Sequence, residues 1–140
     1  MTIVLAWVIA QVIKFLLYYL VNKKLDFDRL LGDGGMPSSH SAVVTSCATF
    51  ALLEYGANSF EFTIAAVLAI IVMHDAMGVR RQTGKQAEFL NEISALFEDI
   101  EGYPTLDGKL KILVGHTFPQ VIVGGVIGIF VAELVWQMYI

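Results

Sequence analysis

Four long apolar blocks alternate with polar connections along the chain. The first, Ile3 to Val21, reads IVLAWVIAQVIKFLLYYLV; the second runs from about Ser41 to Tyr55, the third from about Phe60 to Met77, and the fourth from about Pro119 to Ile140. Each approaches the roughly 20 residues a helix needs to cross a hydrocarbon core. The second is the shortest and contains Ser and Thr. Lipid admits only helices and closed barrels, and these blocks lack the strict alternation of barrel strands. The pattern predicts an all-α membrane protein, a bundle of about four transmembrane helices forming a single domain over residues 1–140.

A fifth segment has another rhythm. Val79 to Glu101, VRRQTGKQAEFLNEISALFEDIE, repeats Leu90, Ile93, Phe97 and Ile100 at spacings of three and four, with Ala87 and Leu96 beside the stripe and charges opposite. It predicts an amphipathic helix lying along the headgroup region, followed by a turn at GYPTLDG.

Composition agrees with a membrane protein: 56% of the 140 residues are hydrophobic, 16% are charged, and mean hydropathy is +0.68. The opening MTIVLAW has no basic n-region and no small-residue cleavage site follows it, so the first block is expected to be a span and not a signal peptide. The lone cysteine, Cys47, has no partner for an internal disulfide.

Charge placement sets an orientation. Lys23, Lys24 and Arg29 follow the first block, and Arg80, Arg81, Lys85, Lys109 and Lys111 lie between the third and fourth. The connection EYGANSFE and both termini carry no Lys or Arg. Positive-inside bias then predicts both termini outside, the amphipathic helix in the cytoplasm, and residence in the plasma membrane. The net charge of −4 does not bear on topology, since acidic residues contribute little to it. No basic patch with interleaved aromatics speaks for nucleic acid. The expected partners are the membrane and an anionic phospholipid, and the VGGVIG stretch in the last block is compatible with homodimer packing.

The candidate chemistry sits at the block boundaries. GGMPSSHSAVV, starting at Gly34, puts Ser38 or Ser39 at the cap of the second helix and His40 at its mouth. A helix N-terminus offers unused N–H groups and a positive dipole end, which favour an anion such as phosphate. GHTFPQVIVGG repeats the arrangement, with His116 directly before the fourth helix and a capping-box spacing from Thr117 to Gln120. By the charge rule both histidines lie on one side. Two imidazoles at one anion site suit phosphoryl transfer, one attacking phosphorus and the other protonating the leaving oxygen.

Two more patterns point the same way. Arg80, Arg81 and Lys85 open the amphipathic helix while Glu98, Asp99 and Glu101 close it. That order opposes the helix dipole at about 0.3–1 kcal/mol per exposed charge, so something else favours cations there; a phosphate would. Gln11, Lys14, Tyr18 and Asn22 step along one face of the first helix and predict a polar stripe turned toward the other helices. Asp75 is the other charge near the membrane. No ligand spacing such as HExxH or CxxC suggests a metal, and no cofactor is expected.

GGMPSSHSA, DAMGVRRQTGKQAEFLN and GHTFPQVIVGGVIG, in this order, together with AWVIAQVIKF in the first block, resemble the divergent acid phosphatase / vanadium-dependent haloperoxidase-related membrane proteins, distant relatives of the type 2 phosphatidic acid phosphatases. The resemblance covers nearly the whole chain. It implies a metal-free site in which His40 is the general acid and His116 the nucleophile that forms a phosphohistidine. The superfamily's Lys-to-Arg-Pro motif has no full match, so Lys14 is the substitute. The arginine expected shortly before the nucleophile is absent, leaving Arg80, Arg81 or Lys85 to serve. The acid expected four residues after the nucleophile is Gln120, which can orient the imidazole, while Asp75 is the nearest source of a full negative charge.

The expectation is a membrane lipid-phosphate phosphatase working at the cytoplasmic leaflet, with Lys14, Ser38, Ser39, Arg80, Arg81 and Lys85 holding the substrate. The resemblance suggests phosphatidylglycerophosphate first. The alternatives are a non-catalytic anionic-lipid-binding or structural membrane protein, a phosphatase of an isoprenoid pyrophosphate, and a phosphotransferase with an acceptor other than water.

Overall fold

The structure, a computed structural model, describes residues 1–23, 35–97, 110 and 115–139. These residues form five helices: α1 Thr2–Asn22, α2 Ser39–Tyr55, α3 Phe60–Met77, α4 Val79–Leu96 and α5 Phe118–Gln137. The four apolar blocks coincide with α1, α2, α3 and α5 to within a few residues. Lys24, Arg29, Glu98, Asp99, Ile100, Glu101, Lys109, Lys111 and the GYPTLDG turn lie outside the described residues.

Among the described residues three helices, α1, α3 and α5, are long and apolar enough to cross a membrane. The fourth expected span, α2, is 17 residues long and carries the Ser and Thr of SHSAVVTSCATF. Its place in the bundle explains both. The other three long helices all pack on α2, most extensively α5, and α1 and α3 flank that central pair. Enclosed by protein, α2 satisfies its hydroxyls locally: Thr45 Oγ1 donates to Ser41 O at 2.7 Å and to Gly125 O at 3.0 Å, and Ser46 Oγ donates to Val43 O at 2.8 Å.

The buried positions are mostly small. Ala6 and Ala10 on α1, Ala42 and Ala51 on α2, Ala65, Ala69 and Ala76 on α3, and Ala132 on α5 make up most of the core. Lipid is as apolar as leucine, so helices associate where small side chains let backbones approach. Gly124 and Gly128 do this most sharply. A Cβ on Gly124 would collide with the Ser38 carbonyl oxygen, and one on Gly128 with Thr45 Oγ1 and the Ala42 carbonyl. In VGGVIG, which is compatible with homodimer packing by sequence, Gly124 and Gly128 are covered by α2 of the same chain.

The helices alternate in direction. Trp136 Nε1 donates to Glu54 Oε2 at 3.3 Å, joining the C-terminal ends of α2 and α5. Thr2, Phe50 and Tyr139 share a cavity there, which brings in the start of α1. Ends α1-C, α2-N, α3-C and α5-N therefore meet at the opposite side. Gly78 separates α3 from α4, which begins at Val79 as expected and runs to Leu96; the expected end at Glu101 lies outside the described residues. Along it Gly84 and Ala87 are buried, Ile93 and Phe97 are half-buried, and Phe89, Leu90 and Leu96 remain exposed. Asn91 holds the returning chain, giving its amide hydrogen to Leu110 O at 3.0 Å and accepting Leu110 N–H at 2.9 Å.

Candidate active site

Ser38 begins the site. It is the cap of α2, fully buried, and its Oγ accepts both the Ser41 amide at 3.3 Å and the Ser41 hydroxyl at 2.9 Å. Its own amide donates to Gln120 O at 3.1 Å, stitching the start of α2 to the start of α5. The Ser38 N–H is therefore engaged by protein and is not an anion donor. Ser39, the first helical residue and also buried, has an amide that intrahelical bonding does not use.

His116 is held from three directions. Its amide donates to Ala76 O at 2.9 Å at the end of α3. Its ring Nδ1 lies 3.2 Å from the Gly35 carbonyl oxygen. A carbonyl can only accept, so Nδ1 carries the proton and Nε2 keeps the lone pair, the tautomer a nucleophile requires. Gln120 completes the setting: its Oε1 accepts the Thr117 amide at 2.9 Å, the expected reciprocal bond of a capping box, and its side chain also hydrogen-bonds the His116 ring. Burial pushes the His116 pKa below the ordinary imidazole value, and the positive charge of Lys14 pushes it the same way; the Gln120 and Gly35 bonds oppose them. His116 is thus tuned to remain neutral, and it is buried.

His40, half-buried in the first turn of α2, faces this ring: the two imidazole centroids are 6.4 Å apart with planes inclined at 60°. The two rings therefore border one mouth of the bundle. Both histidines lie at the same end of the bundle, as two helices starting from one side require.

The four cations differ in setting. Lys14 is 4% exposed, and Gly35, at φ +81°, folds over its aliphatic stem so that a Cβ there would lie 3.7 Å from Lys14 Cγ. With Gln11 it forms the inward part of the expected polar stripe; Tyr18 is half-buried, and exposed Asn22 donates to Tyr18 O. Arg80 donates Nε to Asp75 Oδ2 at 2.8 Å, so the carboxylate expected to steady His116 pairs with a cation. Arg81 enters through its backbone. Gly115, at φ +87°, lies so close to it that a Cβ would strike Arg81 N and come within 2.7 Å of Arg80 C. Lys85 is exposed one turn further along α4. The N-termini of α2, α4 and α5 consequently converge beside Lys14, and their dipoles favour an anion. Among the described residues no group of three or more His, Cys, Asp or Glu could hold a metal ion.

Comparison with known proteins shows the family. Residues 1–131 match the model of the family described as the Divergent PAP2 family. The chain belongs to the Divergent PAP2 family. The protein described as Uncharacterized membrane protein YuiD of Bacillus subtilis (strain 168) is 41% identical over 133 residues, covering 89% of this chain and 84% of its own. No solved structure matches significantly. This Divergent PAP2 member is therefore a phosphatase-related membrane protein. Four contributors to its site escaped the sequence reading: the Gly35 and Ala76 carbonyls, the Ser41 hydroxyl, and Gly115. For Gly115 a signal was present, a glycine directly before the histidine; the carbonyls leave none, because any residue type supplies one.

Proposed function

We propose that the protein is a membrane lipid-phosphate phosphatase acting through a phosphohistidine. The observation that carries this reading is the pair of imidazoles 6.4 Å apart at a mouth where three helix N-termini converge. His116 Nε2 attacks phosphorus and forms the N–P bond as the P–O bond to the lipid alcohol breaks. His40, protonated, gives its proton to the departing alkoxide. Neutral His40 then takes a proton from water, whose oxygen attacks phosphorus and releases inorganic phosphate and His116.

Positioning and charge carry most of the work in phosphoryl transfer. In this reading Lys14 holds the phosphoryl oxygens from the buried side, exposed Arg81 and Lys85 approach from the first turns of α4, and the Ser39 amide adds a hydrogen bond; Arg80 is oriented by Asp75. Gln120 and Gly35 hold the nucleophilic ring. The Lys and Arg of the connections support a cytoplasmic location for this end of the bundle, and in this reading the membrane is the plasma membrane. There phosphatidylglycerophosphate is the first substrate to test.

Purified protein should release phosphate from phosphatidylglycerophosphate faster than from phosphatidic acid or undecaprenyl pyrophosphate, and His116→Ala should abolish turnover while lipid binding persists. Absence of release from all three lipids would overturn the hydrolase. Gln120 standing in place of an acid, with Asp75 tied to Arg80, favours one second reading, a non-catalytic binder of anionic lipid. In that case wild type and His116→Ala alike would bind anionic lipid without turnover.

A further inference from the structure

The side chains of α4 sort into three unlike faces. At 100° per residue, exposed Arg81, Lys85, Glu88 and Glu92 fall within an arc of about 60°. Arg80, the remaining charge of α4, pairs with Asp75. Gly84, Ala87 and Asn91 form a second face turned toward the protein, where Asn91 holds Leu110. Val79, Phe89, Leu90, Ile93 and Leu96 share a third arc of about 120°, and no charged residue interrupts it. Phe89 is 63% and Leu96 77% exposed, on a helix that among the described residues packs against one other helix, α3.

A bilayer is what this apolar arc meets. Gly78 joins α4 directly to α3, a helix apolar enough to span, whose exposed Ile64, Leu68 and Ile71 step by four and three as a lipid-facing row. The first turn of α4 therefore starts at the membrane surface. Arg81 and Lys85 stand in the two turns nearest that surface, where long cationic side chains reach headgroup phosphates, and Glu88 and Glu92 follow farther along.

We infer that α4 docks on the leaflet at this end, with Phe89, Ile93 and Leu96 sunk among phospholipid headgroups, and so holds the chain leading to His116 at the membrane surface. Amphipathic helices lying in this plane bury their apolar face about 5–10 Å deep. Phe89 and Leu96 each favour the docked state about tenfold or more by leaving water. The link to His116 rests on two contacts. Asn91 grips Leu110 through both its amide groups, and the Arg81 backbone packs on Gly115, directly before the histidine.

The test uses full-length protein carrying Cys47→Ala in nanodiscs of phosphatidylglycerol and phosphatidylethanolamine. A nitroxide is placed at Phe89→Cys, Leu96→Cys or Glu92→Cys, and its collisions with oxygen, which concentrates in lipid, and with a nickel chelate, confined to water, give its depth. The oxygen-to-nickel ratio at Phe89→Cys and Leu96→Cys should be severalfold higher than at Glu92→Cys. Equal ratios at all three put the arc in water and overturn the inference. Shielding of the first two labels from both reagents reveals a protein partner, a second copy included, and overturns it as well. These depths stand independently of any variant whose fold is damaged. Phe89→Glu with Leu96→Glu should then bring a label at Ile93→Cys into water and speed amide exchange at Gly115 and His116 about tenfold or more. Undocking without faster exchange overturns the link to His116. Depth and exchange are read without turnover, so failure to release phosphate from any lipid sinks the hydrolase and leaves the docking standing.

Discussion

Adding one methyl group at Gly124 should separate the two histidines. A Cβ there would run into the Ser38 carbonyl oxygen and approach Ser38 C at 3.0 Å and N at 3.1 Å, all backbone atoms that cannot rotate away. Ser38 caps α2 two residues before His40, and its amide bonds to Gln120 O one turn before Gly124. The strain must therefore push the start of α2 off the start of α5. Overpacking of this kind costs about 1–3 kcal/mol, and an ångström of misplacement between catalytic groups about 10²-fold in rate. Gly125→Ala is the control, since its Cβ would meet Thr45 Cγ2 at 3.5 Å and Met73 Cε at 3.6 Å, both ordinary contacts. Phosphate release and thermal unfolding followed by circular dichroism in detergent read the two effects. Gly124→Ala should lose several degrees and about two orders of magnitude in kcat/KM, while Gly125→Ala stays near wild type. Equal behaviour of the two variants would refute the reasoning that glycine packing sets the site.

Other substitutions probe separate features. Gly128→Ala meets Thr45 and Ala42 one turn further from the site and should destabilise like Gly124→Ala with a smaller effect on rate, measured in the same assays. The His116 ring must be neutral to attack, so kcat/KM should be lost as pH falls through its depressed pKa. Lys14→Met removes one cause of that depression and should move the acid limb of the pH profile upward; a downward movement contradicts the electrostatics. By linkage, the folded state holds fewer protons at His116 than the unfolded chain does. Its contribution to stability is thus complete above the ordinary imidazole pKa and declines as pH drops below it, a slope that His116→Gln should flatten in thermal melts. Asp75→Asn breaks an ion pair whose side chains are 43% and 38% exposed and should cost less than about 1 kcal/mol of unfolding free energy. Gln11 Oε1 is buried with no hydrogen-bond partner among the described residues. An orphan of this sort costs about 1–3 kcal/mol, so Gln11→Leu should raise the unfolding temperature or leave it unchanged.

The elements of this protein follow from local rules. An apolar run of about 20 residues in lipid must become a helix because its backbone has nowhere else to bond. Capping residues set where α2 and α5 begin, which is why His40 and His116 could be placed at helix mouths from the residues themselves. The facing of the helices obeys no such rule. In a soluble helix the polar side marks solvent, but here lipid and bundle interior are equally apolar, so hydropathy is silent about which side of α3 or α5 packs. Only small residues and rare charges break that symmetry. Lys14 and Gln11 did so correctly for α1, whereas Gly124 and Gly128 fitted a partner copy as well as α2. Asp75 was offered as a charge for His116 because it is the acidic residue near the membrane, and the junction of α3 and α4 pairs it with Arg80. The 6.4 Å meeting of the imidazoles and the Gly35 carbonyl on Nδ1 are products of tertiary contact, because each depends on backbone atoms from segments far apart in the chain.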